Sequence, residues 1–251
     1  MVIHFESDVE MPKSEIAMRD RLIFALDVNT REQALDWVTR LGDSVWFYKL
    51  GMELLSSGQY FELIAELNDL GKKVFVDLKF FDVPATVASA VKGLRRHAVS
   101  FCTIHGNDQM MRAAVEVKGD LQVLAVTALT SLDERDLADL GFQCDVQSLV
   151  LSRAKAALHC GVDGVVSSGL EAAAIRAELG ERLLVICPGI RPVANVDDQK
   201  RTVDVAQAFA NGADYIVVGR PIRQAADPCA MAQSMQRSIA QTFAPIPQHL
   251  H

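Results

Sequence analysis

The sequence predicts an α/β fold, a single-domain (β/α)8 TIM barrel, and three observations carry that prediction. Short, almost wholly apolar runs alternate with helical segments, the runs number eight, and polar residues capable of chemistry collect at their exits. A strand that is apolar on both faces belongs to a parallel sheet buried on both sides. A doubly wound open sheet permits the same alternation, but no G-x-G-x-x-G follows the first run, and the count reaches the number that closes a barrel. With 251 residues, half of them apolar, the chain can bury such a core, and no shift in composition divides it in two.

Residues 1–20 show no clear period and carry a Pro12-Lys13-Ser14 break, so the expected organisation is an N-terminal extension over 1–20 and a catalytic barrel over 21–251. RLIFAL reads as a buried strand ending at Asp27, and Thr30-x-x-Gln33 as a capping box that opens an amphipathic helix to about Leu41. VWFYKL is the second strand, with Lys49 near its end; a helix from about Gln59 to Leu70 follows and stops at Gly71. The third strand begins at Val74. Pro84 suits the first turn of a helix to about His97, SFCTIH makes a fourth strand ending at His105, and a helix spans roughly Asp108 to Val117. LQVLAVT is the fifth strand, followed by helices from Asp133 to Leu140 and from about Val146 to Cys160. Three junctions then repeat one pattern, a helix stopped by Gly161, Gly180 or Gly212 and followed by an apolar strand.

The chemistry centres on VFVDLKFFDVP, from Val74 to Pro84. Strand alternation would put Asp77 and Lys79 on one face at the strand's end, where an acid and an amine cost desolvation unless they pair. Such a cluster is either a structural ion pair or a reaction site. Barrel active sites lie at the C-terminal ends of strands, and there stand Asp27, Lys49, Asp77 with Lys79, His105, Thr130 with Ser131, Ser167 with Ser168, Arg191, and Gly219 with Arg220. The ordinary polarity of loops accounts for Ser167 and Ser168; it accounts less well for Asp27 and Lys49, which end or lie within apolar runs. PGIRP and VVGRP each join a glycine, open to close backbone approach, with an arginine fork suited to phosphate oxygens. The polar segment from Arg191 to Arg201 is long for its place and suited to folding over a bound ligand, with Gln199 as its hydrogen-bonding member.

Composition excludes other classes. A balance of 25 Lys plus Arg against 32 Asp plus Glu, a formal charge of -7, argues against nucleic acid or an anionic membrane as partner, although a small anion can still find a local basic pocket. Five scattered cysteines with no C-x-x-C suit reduced thiols in a cytosol. The N-terminus lacks a basic region followed by an apolar one, and no window offers about 18 uninterrupted apolar residues, so the expectation is a soluble, cytoplasmic protein. No metal constellation is visible: the six histidines are dispersed without an H-x-x-x-H, and Lys49 and Lys79 supply the positive charge that a cation between Asp27 and Asp77 would bring.

Taken together, ALD at Asp27, YKLG around Lys49, DLKFFDVPATV from Asp77 to Val87, LTS from Leu129 to Ser131, PGIR to Arg191, DDQKR with Gln199 and VVGRPI around Arg220 resemble orotidine 5'-phosphate decarboxylases of the bacterial type. The resemblance covers roughly Leu22 to Arg237. D-x-K-x-x-D alone also occurs in other phosphosugar-processing barrels; the combination is the specific signal. Two positions depart from the family pattern, His105-Gly-Asn-Asp, which lacks the usual Gly-Gly, and Ala85, where Asn is usual.

The resemblance implies cofactor-independent decarboxylation of orotidine 5'-phosphate to UMP and CO2, the last step of pyrimidine nucleotide synthesis. It implies that Asp27 and Lys49 hold the ribose hydroxyls, that Asp77 lies against the substrate carboxylate and that Lys79 protonates C6. Lys49 and Asp82 complete the catalytic set; Asp82 and Thr86 would reach into the site of a partner subunit, making a homodimer the active unit. Thr130 would contact the pyrimidine, and Arg191, Gln199, Gly219 and Arg220 the phosphate. Physical chemistry agrees: loss of CO2 from C6 leaves a carbanion with no adjacent carbonyl, so a preplaced positive group must stabilise it. Two rivals share the barrel, a metal-dependent phosphosugar decarboxylase or aldolase, and a phosphate-ligand sensor without turnover.

Overall fold

Eight parallel strands close into a barrel in sequence order, each paired with the next and the last with the first. They are β1 (Leu22–Ala25), β2 (Phe47–Leu50), β3 (Lys73–Phe80), β4 (Phe101–His105), β5 (Gln122–Val126), β6 (Gly164–Val166), β7 (Leu184–Pro188) and β8 (Tyr215–Val218). The helices are α1 (Arg31–Leu41), α2 (Met52–Leu55), α3 (Tyr60–Asp69), α4 (Pro84–Leu94), α5 (Asp108–Val117), α6 (Glu134–Asp139), α7 (Val146–His159), α8 (Ala172–Leu179), α9 (Val205–Ala210), α10 (Arg220–Arg223) and α11 (Pro228–Thr242). The computed structural model describes residues 16–191 and 203–244. The expected barrel is thus the observed one, and among the described residues no helix is long and apolar enough to cross a membrane.

The strands are largely apolar because most of their residues are buried on both faces. Outward residues such as Phe24, Tyr48, Val76 and Cys102 pack under the helices. Inward residues form a second cluster, in which Phe47, Phe75, Phe101 and Tyr215 fill the lower barrel, Phe101 lying 5.0 Å from Phe47 and 5.1 Å from Tyr215 between ring centroids. Side chains repeat on a face every second residue. Two residues farther along the same face of β2, β3 and β4 therefore come Lys49, Asp77 and Thr103, so the pleat that lays down an aromatic floor also lays polar groups above it, while Val217 on β8 stays apolar.

Helix ends follow local chemistry. Thr30 caps α1 by accepting the Gln33 N–H, but the Gln33 side chain returns to the Asn29 N–H rather than to Thr30, so the reciprocal bond of the expected box shifts by one residue. Pro84 opens α4, which ends at Leu94; a tight 3-10 turn carries the chain on to His97 and a left-handed Ala98. Gly161 and Gly212 have φ of 78° and 98°, and two residues after each stands an aspartate. Asp163 accepts the Val123 N–H (2.8 Å) and pairs with Lys118 (2.8 Å); Asp214 accepts the Val185 N–H (2.8 Å) and pairs with Arg176 (2.6 Å). Both therefore tie a strand start to its neighbour at the N-terminal end of the barrel. Ile16 packs against the inner cluster and Asp20 is buried against Lys73 at 2.6 Å, so residues 16–20 adjoin this lower end.

Candidate active site

The C-terminal rim gathers an alternating row of charges. Lys49 Nζ lies 3.2 Å from Asp27 Oδ1 and 3.4 Å from Asp77 Oδ2, and Lys79 Nζ lies 2.9 Å from Asp77 Oδ1. The middle pair is the most enclosed: the Lys49 and Asp77 side chains are each 13% exposed, while Asp27 and Lys79 at the two ends of the row are 39% and 32% exposed. Burial alone would raise the Asp77 carboxyl, but Lys49 and Lys79, with hydrogen bonds from Lys79 and Thr103, outweigh it and hold it below its ordinary value. Burial likewise opposes the Lys49 charge, and Asp77 and Asp27 overcome it, leaving Lys49 raised.

Simple alternation does not by itself bring Lys79 to Asp77. The β3–β4 register shifts between Val76 and Phe80, and Lys79 has a φ of 49°, a left-handed conformation. Its backbone N–H donates to Thr103 Oγ1 at 2.9 Å, and Thr103 Oγ1 donates to Asp77 Oδ1 at 2.9 Å. The expected pair is therefore made through a break in the pleat and a neighbouring strand.

A cavity of about 250 Å³ opens over this row. Asp27, Lys49, Asp77 and Lys79 line it together with Thr130, Arg191, Gly219 and Arg220. Gly219 is needed for close approach, since a Cβ there would stand 3.3 Å from Ala25 Cβ and 3.4 Å from Asp27 Oδ2. Gln199 lies outside the described residues, but the β-bridge between Ile190 and Val203 brings the two ends of its segment together beside the cavity. Asp82 and Thr86 do not line it: both are exposed, and Asp82 Oδ1 accepts the Val83 N–H at 2.6 Å. His105 also stands aside, its ring against Phe81 and its Nδ1 3.2 Å from Asn107 Oδ1, with burial lowering its pKa. Ser167 and Ser168 are buried off the cavity, and Ser168 Oγ serves its own turn by accepting the Leu170 N–H.

Three residues that the sequence did not single out support the site. Thr103 binds both Asp77 and the backbone of Lys79. Arg223, one turn after Arg220, donates to the Asp27 backbone carbonyl and lies 3.9 Å from Asp27 Oδ2. Arg153 donates to the Thr127 carbonyl at 2.5 Å, below the loop that carries Thr130. Thr103 had a readable signal, a polar residue inside an apolar strand two places after Phe101; the arginines sit on helices where a solvated charge is the ordinary expectation.

Among the described residues, no three of His, Cys, Asp and Glu converge as a metal site, and Lys49 Nζ occupies the space between Asp27 and Asp77 that a bridging cation would take. Chemically the arrangement offers an amine at the end of a charge row, an enclosed carboxylate and an arginine-lined anion pocket, all within one cavity.

Comparison with known proteins gives a consistent picture. The profile of the Orotidine 5'-phosphate decarboxylase / HUMPS family matches residues 20–235. The chain is 61% identical over 231 residues to the orotidine 5'-phosphate decarboxylase of Methylococcus capsulatus, covering 91% of this chain and 96% of that protein. It is 55% identical over 239 residues to that of Stenotrophomonas maltophilia, covering 93% and 99%. The crystal structure of the enzyme from Lactobacillus acidophilus superposes with a TM-score of 0.78 at 34% identity, covering 88% of this chain and 99% of that one.

Proposed function

The chain belongs to the orotidine 5'-phosphate decarboxylase / HUMPS family and is a carboxy-lyase converting orotidine 5'-phosphate to UMP in pyrimidine synthesis; from that premise we propose how its residues divide the reaction. Lys79 is the acid that protonates C6. The observation that carries this assignment is the charge row from Asp27 to Lys79, which lines one cavity together with Arg191 and Arg220. Substrate phosphate binds Arg191, Arg220 and the backbone at Gly219, with Gln199 closing on it; Thr130 contacts the pyrimidine, and Asp27 and Lys49 take the ribose hydroxyls.

This placement sets the substrate carboxylate against Asp77. The repulsion is relieved as CO2 departs, and the Lys79 amine, 2.9 Å from Asp77 Oδ1, is the positive group for the carbon that gains charge. Electrons of the breaking C–C bond remain on C6 and then form its bond to the Lys79 proton. Binding energy from the distant phosphate holds the ring in this geometry. No organic cofactor takes part in these steps.

The active unit is a homodimer in which Asp82 and Thr86 serve the partner subunit's cavity. Support comes from their exposure away from their own cavity and from Phe81 and Val83, apolar side chains 63% and 62% exposed beside Asp82. The enzyme is placed in the cytoplasm, in keeping with the free thiols of Cys102, Cys160 and Cys187 in the packed interior.

The test follows the loss of orotidine 5'-phosphate absorbance with purified protein in excess chelator, the Lys79→Ala variant alongside. Wild type should form UMP while the variant loses at least about 10³-fold in kcat and still binds UMP. Near-normal turnover by the variant would remove Lys79 from its role.

A further inference from the structure

One buried hydroxyl in the site has no place in the roles above. Thr103 is fully buried on the inner face of β4. Its Oγ1 accepts the Lys79 backbone N–H and donates to Asp77 Oδ1, both at 2.9 Å. A hydroxyl has a single proton, so with an N–H already aimed at the oxygen, that proton goes to the carboxylate and the direction of both bonds is fixed.

The backbone shows why this matters. Lys79 has left the strand ladder and sits in a left-handed conformation that an L side chain rarely adopts. Thr103 receives the N–H freed by that departure. The same Asp77 oxygen takes Lys79 Nζ at 2.9 Å, which leaves Oδ2 to Lys49 at 3.4 Å. Hydroxyl, carboxylate and lysine therefore form a closed ring running from the Lys79 backbone through Thr103 and Asp77 back to the Lys79 amine.

We propose that Thr103 is a positioning residue for the decarboxylation, locking the backbone of Lys79 to the carboxylate of Asp77 so that acid and amine stand in fixed relation before the substrate enters. The inference rests on the roles given above to Lys79 and Asp77. Thr103 acts through those two groups and needs no contact with the substrate. Because misplacing a reacting group by about 1 Å costs on the order of 10²-fold in rate, a loosened ring should appear in kcat before it appears in binding.

The experiment compares Thr103→Val, which keeps the shape and removes the hydroxyl, with Thr103→Ser, which keeps the hydroxyl. Thr103→Val should lower kcat by about 10-fold or more while the Kd for UMP stays within about threefold, and Thr103→Ser should restore kcat to within about threefold of wild type. The acid limb of the kcat profile should also move to higher pH in Thr103→Val. Asp77, faced by Lys49, Lys79 and Thr103 with Asp27 beyond Lys49, would lose a donor that helps hold its carboxyl low.

The proposal is overturned if Thr103→Val keeps kcat within about threefold of wild type, if the serine variant falls as far as the valine variant, or if kcat and UMP affinity fall together. Thr103→Ala takes the place of the valine variant should that chain not fold; failure of both to fold beside an active serine variant would mark a purely structural residue and equally overturn it. Lys79→Ala, measured in the same series, separates the two readings. A functional Lys79→Ala overturns the role of Lys79 itself, whereas an inactive one beside a normal Thr103→Val removes only Thr103.

Discussion

The two ends of the barrel use the same side chains in different arrangements. At the N-terminal end, Asp163 and Asp214 each accept a strand N–H and pair with a neighbouring cation, so each acid is fastened where a strand begins. At the C-terminal rim, Asp77 faces two lysines and a hydroxyl, and Asp27 shares Lys49 with it. Each rim acid therefore depends on the next group in the row, and the row ends at an amine on the cavity wall. An ion pair closed by a backbone N–H is a fastening, whereas a chain of pairs with a free end can act on a ligand.

That contrast sets an order of expected effects. Lys79→Ala, at the free end, should cost the most turnover with little loss of stability, and Thr103→Val should follow. Arg220→Ala should weaken UMP binding by about 10- to 100-fold while changing uridine binding little; equal losses for nucleotide and nucleoside would break the phosphate assignment. At the other end, Asp214→Ala removes one partner of a buried pair whose acid is 2% exposed. It should cost about 3 kcal/mol and lower Tm by roughly 6–12 °C, with kcat per folded molecule unchanged. A fall in kcat without a fall in Tm would erase the distinction between the two ends.

The smallest effect concerns pH. Asp77 is held low, so its contribution to stability is present above the unfolded carboxyl value near pH 4 and disappears as pH falls through its folded value. Lys49 is raised, so its contribution is present below the unfolded value near pH 10.4 and disappears as pH rises through its folded value. The Tm difference between wild type and Lys49→Met should accordingly hold across neutral pH and shrink below about pH 4 and above about pH 10.4. A difference that varied steeply between pH 6 and 8 would point to another titrating group.

Much of this was legible in the sequence because barrel strands bury both faces, which makes each one a plain apolar run, and because polar residues at run exits converge once the runs are parallel. Asp27, Lys49, Asp77, Lys79, Thr130, Arg191, Gly219 and Arg220 all meet around one cavity for that reason. The break in the pleat at Lys79 was not legible, since a lysine gives no sign of a positive φ and the bond that accommodates it comes from Thr103, 24 residues away. Arg223 was hidden similarly: its partner Asp27 is 196 residues distant, and only barrel closure joins them. The cross-subunit role of Asp82 and Thr86 rests on the family resemblance, and their own chain gives them no place at the cavity.

The aromatic floor made by Phe47, Phe75, Phe101 and Tyr215 has one more consequence. Among the described residues it closes the barrel beneath the cavity with packed rings, so in the proposed binding mode substrate, gas and nucleotide all pass the C-terminal rim. On the roles proposed for Asp77 and Lys79, carbon dioxide freed above that floor leaves past the ring it came from, within reach of the carbanion until it clears the rim. Recapture and protonation then compete, and the role proposed for Lys79, an amine beside that carbon, favours protonation.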